Sequence, residues 1–428
     1  MSRAAAWYGS RWQWRFFSIW SGQALSLLGS ALVQFALIWW LTATTGSATA
    51  LAMATLAAML PQVLLSSFVG TLVDRWNRRM IMIVSDSMIA LCTLIVALLF
   101  TSELVQLWHI YLLLMLRALG ATFHTPAMHA STTLMVPEKH YARVAGINQA
   151  LNGMTNILGP ALGALLLRTL PLFGILLIDI MTALLAILPL LVFSVPQPQR
   201  SNALVKRSVW SEFREGLRYV WSWRGLTLLI GLAMLLNFLL TPAISLVPLL
   251  VAQHFQADAG GLAAMNMALG IGIIAGGAFL GLWGGFGRKI VTSLMGVLGI
   301  GVGILLIGVA PSSALWLAIM GMWIAGAMLS MANAPIHALL QARVMPEVQG
   351  RVFGLMNNLG IGITPLSLLI AGPLADAIGV QSWFLAAGVA CVVAVAYGAS
   401  NQALMNIEAD RTSALRATSA EETSASDA

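Results

Sequence analysis

The sequence predicts an all-α membrane protein: twelve transmembrane helices in two six-helix parallel repeats. Three observations predict it. Hydrophobic residues make up 59% of the 428 and charged ones 9%, where soluble domains carry about 25% charged residues. The apolar residues arrive in blocks long enough to cross about 30 Å of hydrocarbon. The two halves of the chain also echo each other's motifs.

Taken in order, the first six spans run roughly 16–41, 48–73, 80–101, 108–130, 144–169 and 172–194. The remaining six run roughly 225–252, 262–284, 290–310, 314–341, 351–372 and 380–400. This divides the chain into an N-terminal bundle (1–194), a cytoplasmic linker (195–224), a C-terminal bundle (225–400) and a polar tail (401–428) expected to be disordered. Within the linker, Trp210, Phe213, Leu217, Val220 and Trp221 recur at helical spacing, so a helix lying along the membrane surface is expected. The start resembles a signal peptide, with Arg3, Arg11 and Arg15 before an apolar run. That run is too long for a signal core and reads as an uncleaved first helix.

An even number of spans puts both termini on one side, and the cations select the cytoplasm. Of 22 Lys and Arg, all but Arg117 and Arg168 then fall on cytoplasmic segments. The net charge of +7 therefore reads as topology in a cell membrane, with contact to anionic lipid as a secondary effect and no need for nucleic acid. Cys92 and Cys391 lie in separate spans with no His/Cys cluster, which excludes a disulfide scaffold and a structural zinc site. No Walker sequence is present, so ATP is not the expected energy source. Gly270-Ile271-Gly272 has no strand before it and lies within a span, so it is not a dinucleotide site. No cofactor or metal is expected.

The repeat is visible in matched segments. His124-Thr125-Pro126-Ala127 is echoed by Asn333-Ala334-Pro335-Ile336, Val136-Pro137-Glu138 by Met345-Pro346-Glu347, and Arg143-Val144-Ala145-Gly146 by Arg351-Val352-Phe353-Gly354. Each pair lies about half a chain length apart. Parallel six-helix repeats with bent helices at matching places belong to rocking secondary transporters. A channel would not need them. An enzyme would need catalytic groups converging at depth, and none do, so the protein is not expected to be an enzyme.

Between the second and third spans stands Gly70-Thr71-Leu72-Val73-Asp74-Arg75-Trp76-Asn77-Arg78-Arg79. Arg78 and Arg79 alone would make an ordinary basic, topology-setting loop, but that leaves Asp74 unexplained. The segment resembles the signature of the major facilitator superfamily between its second and third helices. The resemblance implies an inner gate in which Asp74 braces Arg351, at the start of the eleventh span, with Gly70, Arg75, Arg78 and Arg79 around it. The counterpart loop at Gly284-Gly285-Phe286-Gly287-Arg288-Lys289 lacks the acid. Phe16-Phe17-Ser18-Ile19-Trp20-Ser21-Gly22-Gln23, Phe123-His124-Thr125-Pro126-Ala127 and Gly350-Arg351-Val352-Phe353 further resemble the macrolide-efflux branch of the drug:proton antiporters. That branch implies export of bulky amphiphiles by proton antiport, with export of a siderophore or other endogenous amphiphile as the alternative. The partners are then a small-molecule substrate, protons and membrane lipid, and the chain is expected to act as a monomer.

Gly146, Gly159, Pro160 and Gly163 in the fifth span resemble the antiporter motif, with Thr155 and Ala164 replacing two of its glycines. The same residues also suit plain close packing of helices. Polar stripes run along the first span (Gln23, Ser26, Ser30, Gln34), the fifth (Asn148, Asn152) and the seventh (Asn237, Thr241). They read either as the wall of a substrate cavity or as interhelical hydrogen bonding. Arg117 and Asp179 lie at depth, where insertion costs at least about 2.5–3.5 kcal/mol, and are the candidates for proton coupling. The position repeating Arg117 is Gly326, so a purely architectural need is disfavoured. Leu116-Arg117-Ala118-Leu119-Gly120 also resembles the family's fourth-helix Arg motif, one residue short. A static ion pair is the alternative. Asp179 reads as the one acid clearly at depth. His124, His129 and His337 lie nearer the cytoplasmic ends, where structural roles in a wet setting are commoner than proton shuttling.

Overall fold

The computed structural model describes residues 12–197, 209–344 and 346–408. Among them there is no strand. The first six helices are α1 (Trp12–Thr45), α2 (Ala48–Arg75), α3 (Arg78–Thr101), α4 (Leu107–Met135), α5 (Tyr141–Thr169) and α6 (Leu172–Val192). The linker helix α7 (Val209–Ser222) follows, then α8 (Arg224–Leu249), which ends in a wider turn at Leu250–His254. The rest are α9 (Ala259–Trp283), α10 (Lys289–Val309), α11 (Leu315–Arg343), α12 (Pro346–Gly362), α13 (Thr364–Ile378), α14 (Val380–Ser400) and the short α15 (Gln402–Met405).

Eleven of the described segments are long and apolar enough to cross a membrane. The expected fourth span is not among them, although α4 is formed over 29 residues. Arg117 and three histidines in one helix lower its hydropathy, while its length still suffices for about 43 Å. The eleventh span also departs from expectation, because it breaks at Ile363 into α12 and α13. Gly360 and Gly362 weaken the helix there, and Pro365 cannot donate the next backbone bond.

Local sequence sets the element boundaries. Ser47 accepts from the Ala50 amide to start α2, and Asn77 accepts from the Met80 amide to start α3. Both short polar side chains satisfy an amide that the first turn leaves unpaired. The helices then pack through small residues. A Cβ at Gly303 would stand 2.5 Å from the Gly321 carbonyl oxygen, and one at Gly321 equally close to that of Gly303. Only glycine permits that crossing of α10 and α11.

The chain forms two compact units. The first comprises Met1–Leu204, Ser245–Met267 and Leu368–Ile378; the second comprises Val205–Ile244, Ala268–Ser367 and Gly379–Ala428. In the first unit α1 packs on α5 and α6, α2 on α4, and α3 on α4 and α6. Phe16, Ile19, Val69, Val73, Met82, Met135 and Val144 form an apolar cluster beside the Asp74 loop. Three further attachments complete this unit. Asp376 caps the start of α2, with the Ala48 amide donating at 2.6 Å and the Thr49 amide at 3.0 Å. Gln253 donates to the Gly46 carbonyl at 2.7 Å. Arg168, the one outer cation of the expected topology, pairs with Asp258.

In the second unit α7 packs on α12. Val220 and Trp223 join Leu226, Leu340, Val352, Leu404 and Ile407 in one cluster. The start of the expected tail is therefore folded: Leu404 and Ile407 are fully buried, and the Glu408 carboxylate accepts from the Ile290 amide at 2.9 Å, capping α10. The rest of the tail (409–428), linker residues 198–208 and the first cations, Arg3 and Arg11, lie outside the described residues.

Candidate functional site

The first unit encloses a polar cavity of about 330 Å³, walled by Gln23, Ser26, Ser30 and Gln34 from α1, Ala58 from α2, Asp86 from α3, and Arg117 and His124 from α4. A smaller neighbour of about 130 Å³ shares Gln23 and His124 and adds Trp20, His129, Asn148 and Asn152. All four members of the α1 stripe thus face the larger space, and the two α5 asparagines reach the smaller one. Asn148 accepts from the Trp20 indole at 2.7 Å.

Arg117 and Asp179 meet, as an ion pair between α4 and α6. Both are buried, at 7% and 1% exposure. The Arg117 guanidinium also donates to the Thr93 hydroxyl at 2.8 Å, and the Ser30 hydroxyl donates to the other Asp179 oxygen at 3.2 Å. Helices α1, α3, α4 and α6 therefore each supply one residue to a single knot. Satisfying every lone pair is what makes a buried charge pair tolerable, since removing either partner would strand the other.

The reading of Asp179 as the one acid clearly at depth overlooks Asp86, and the structure corrects it. Asp86 is 4% exposed and about 12 Å along α3 from Arg78. Its Oδ2 accepts from Gln23 at 3.0 Å, and its Oδ1 lies 3.5 Å from His124 Nε2. His124 is correspondingly buried, at 7% exposure, in the wall of the cavity. The signal that could have found it is simple: an acid in an apolar span must find a partner, however close to a charged loop it stands.

The Asp74 loop is built differently. Asp74 is largely exposed and pairs with Arg78 at 3.0 Å. Arg78 is itself buried and donates to the Ala130 carbonyl at 2.8 Å. Arg79 donates to the carbonyls of Leu190 and Leu191. These cations thus close the ends of α4 and α6, a structural duty beyond charge placement. A Cβ at Gly70 would meet nothing. Arg351, in α12, belongs to the second unit.

On α5, a Cβ at Gly159 would come 2.8 Å from Ala31, and one at Gly163 would come 2.7 Å from the Phe35 ring. Both glycines, flanking Pro160 inside the helix, allow close approach to α1; a Cβ at Gly146 would meet nothing. In the second unit Asn237 donates to its own helix at Ala233, 2.9 Å, Thr241 stands one turn further on in α8, and His337 stacks on Phe353. Among the described residues no cluster of His, Cys, Asp and Glu could hold a metal ion.

Comparison with known proteins agrees with this architecture. The family model described as Major Facilitator Superfamily matches residues 19–365. Macrolide efflux protein A of Streptococcus pyogenes is 31% identical over 388 residues, covering 90% of this chain and 96% of that protein. Multidrug efflux pump Tap of Mycolicibacterium fortuitum is 29% identical, covering 84% of this chain and 88% of the pump. Among solved structures, the nucleoside transporter NupG superposes with a TM-score of 0.62 at 13% identity, over 88% of this chain and 97% of that one. A bacterial homologue of the human lysosomal transporter Spinster gives 0.65 at 16% identity, over 91% and 96%. These two likenesses bear on the fold alone.

Proposed function

The chain belongs to the major facilitator superfamily, and from that footing we propose that it exports a bulky amphiphilic drug, macrolide-like in class, in exchange for protons. The observation that carries this reading is the polar cavity with its buried Arg117–Asp179 knot. Its volume of about 330 Å³ lies within the range of small-molecule sites, about 300–1,000 Å³. Arg117 on its wall, paired with the Asp179 carboxylate behind it, places a protonatable group next to the cavity. Resemblance to macrolide and multidrug efflux pumps over most of the chain supports a drug-like substrate of this class.

In this reading Gln23, Ser26, Ser30, Gln34, Asn148 and Asn152 orient the polar groups of the substrate, with Asn237 and Thr241 doing so from the second repeat. Arg117 and Asp179 couple the proton. Asp74 and Arg351 brace the inner gate, with Gly70, Arg75, Arg78 and Arg79 shaping the loop. Gly146, Gly159, Pro160 and Gly163 set the approach of α5. Residues 1–194 and 225–400 are the two moving bundles of a monomer in the cell membrane, with both termini cytoplasmic.

An inward proton gains about 2.3 kcal/mol per 100 mV of membrane potential. At about 1.4 kcal/mol per tenfold, one proton per neutral drug molecule supports roughly a fiftyfold gradient. The test is growth inhibition and drug retention in an efflux-deficient host, across macrolides, dyes and siderophores, with and without an uncoupler. Expression should lower macrolide retention, and the uncoupler should restore it. Retention unchanged by the uncoupler rejects antiport; protection against siderophore overload alone reassigns the substrate.

A further inference from the structure

The Arg117–Asp179 knot leaves a second buried acid in the same wall unexplained. Asp86 accepts one hydrogen bond, from Gln23. His124 aims Nε2 at its other oxygen from 3.5 Å, a contact too long to be a good hydrogen bond. Neither His124 Nε2 nor Gln23 Oε1 has a hydrogen-bond partner, although both atoms are buried. Two under-satisfied polar atoms around one buried carboxylate are costly, and native structures keep such groups for a reason.

Charge bookkeeping gives the reason. Asp86 and Asp179 are both at depth in this unit, and Arg117, already paired with Asp179, is the guanidinium on the same cavity wall. The buried Arg78 is paired with Asp74 at the loop. One positive charge is missing, and His124 is placed to supply it.

We propose that Asp86 and His124 form an exchangeable proton site in the wall of the cavity, separate from the Arg117–Asp179 pair. This rests on the antiport reading above. A proton arriving from water bonds to His124 Nε2, and the new N–H donates to Asp86 Oδ1 as a charge-assisted hydrogen bond. On release the N–H bond breaks, the electron pair stays on the imidazole, and the proton returns to water on the other side of the membrane. Loaded, the wall is neutral; unloaded, it carries one net negative charge, so the two states differ in what they tolerate in the cavity. The other charged or titratable groups lining the two cavities are Arg117 and His129, with Asp179 behind Arg117. From α1, α2 and α5 the facing groups are neutral: Gln23, Ser26, Ser30 and Gln34, then Ala58, then Asn148 and Asn152.

The test uses the full chain. Proteoliposomes containing the wild type, His124→Gln and Asp86→Asn are assayed for export of whichever drug the growth panel identifies, across pH 5.5–8.5 (roughly the range in which an imidazole titrates). In parallel, histidine-labelled protein in micelles is followed by NMR, the His124 signal being the one absent from His124→Gln. We expect a wild-type pH profile that flattens at least about tenfold in His124→Gln, and a His124 signal whose pH response changes in Asp86→Asn. Asp86→Glu, which keeps the charge, should restore it if Asp86→Asn folds poorly. Coupled wild-type export with an unaltered profile in His124→Gln overturns the site while leaving antiport intact. A His124 signal indifferent to Asp86→Asn also overturns it. Wild-type export without pH dependence, with His124 still answering to Asp86, overturns antiport and retains the pair as a proton-binding site.

Discussion

Asp376, near the end of α13, closes the first turn of α2 from 328 residues away: the Ala48 amide donates to its Oδ1 at 2.6 Å, while the Thr49 amide and hydroxyl donate to its Oδ2 at 3.0 and 2.6 Å. Ser47 adds a fourth bond at 3.0 Å. A helix start has orphan amides and a positive dipole end, and a carboxylate answers both. The residue that normally caps from within its own helix is here assisted from the second half of the sequence.

Replacing Asp376 with Ala should cost about 1 kcal/mol or somewhat more, as for other lost caps, because Ser47 still serves one amide. Thermal unfolding in detergent reads the loss. A cysteine placed at Ser47 should also label faster in the Ala variant; equal labelling would show that the attachment survives without the carboxylate.

The Arg117–Asp179 pair allows its structural and coupling roles to be separated. Arg117→Ala or Asp179→Asn alone strands a buried partner and should destabilise by about 3–5 kcal/mol. The double variant Arg117→Met/Asp179→Leu removes both charges and should recover most of that stability. If the pair couples protons, the double variant melts near wild type yet exports without pH dependence. Wild-type export from it would leave the pair as scaffolding.

Asp74→Asn should insert and fold normally, because its pair with Arg78 is largely exposed on the acid's side and such pairs contribute little to stability. Export should nevertheless fall to the level of the empty host if Asp74 braces the inner gate. Drug retention in cells matched for membrane expression decides this, and normal export would remove the gate role.

Asp258 offers a pH dependence outside the spans. The hydrogen bond from Arg168 holds its carboxyl below the ordinary value, helped by the Gly260 and Gly261 amides and opposed by modest burial. A lowered folded value means that the contribution is complete above about pH 3.9, the ordinary carboxylate value, and is lost as pH falls further. Hydrogen exchange at Gly260, whose amide donates to the carboxylate at 2.9 Å, should therefore stay slow at pH 5 and accelerate as pH falls below about 4, relative to the intrinsic rate, while Gly261 keeps its backbone bond to the Asp258 carbonyl. The acceleration should be absent in Asp258→Asn, whose side-chain carbonyl still accepts the Gly260 amide but does not titrate, and in Asp258→Ala exchange at Gly260 should be fast throughout.

Much of this was legible in the sequence because the membrane imposes blunt rules. Span length and the echo of Pro126 by Pro335 depend on bilayer thickness and sequence repetition, not on fine packing. Arg117 and Asp179 were legible as partners because each is too costly to stand alone. Asp86 was not, since it stands close to a charged loop and its partners lie 63 and 38 residues away along the chain, at Gln23 and His124. The break at Ile363 was written in Gly360, Gly362 and Pro365 but was hidden by a hydropathy that runs on without interruption. Asp376 carried no local signal, because its role exists only once two distant helix ends come together.

The cap that Glu408 places on α10 sets a timetable for biogenesis. The Ile290 amide, 118 residues upstream of its acceptor, emerges from the ribosome long before it. At an elongation rate of about 5–20 residues per second, that amide waits on the order of ten seconds for its partner. Until then the apolar seats of Leu404 and Ile407 are also empty. The second repeat thus completes itself only once Glu408 has been made, so a stop codon placed after Ser400 would spare every expected membrane span and still deliver an unfinished bundle to quality control.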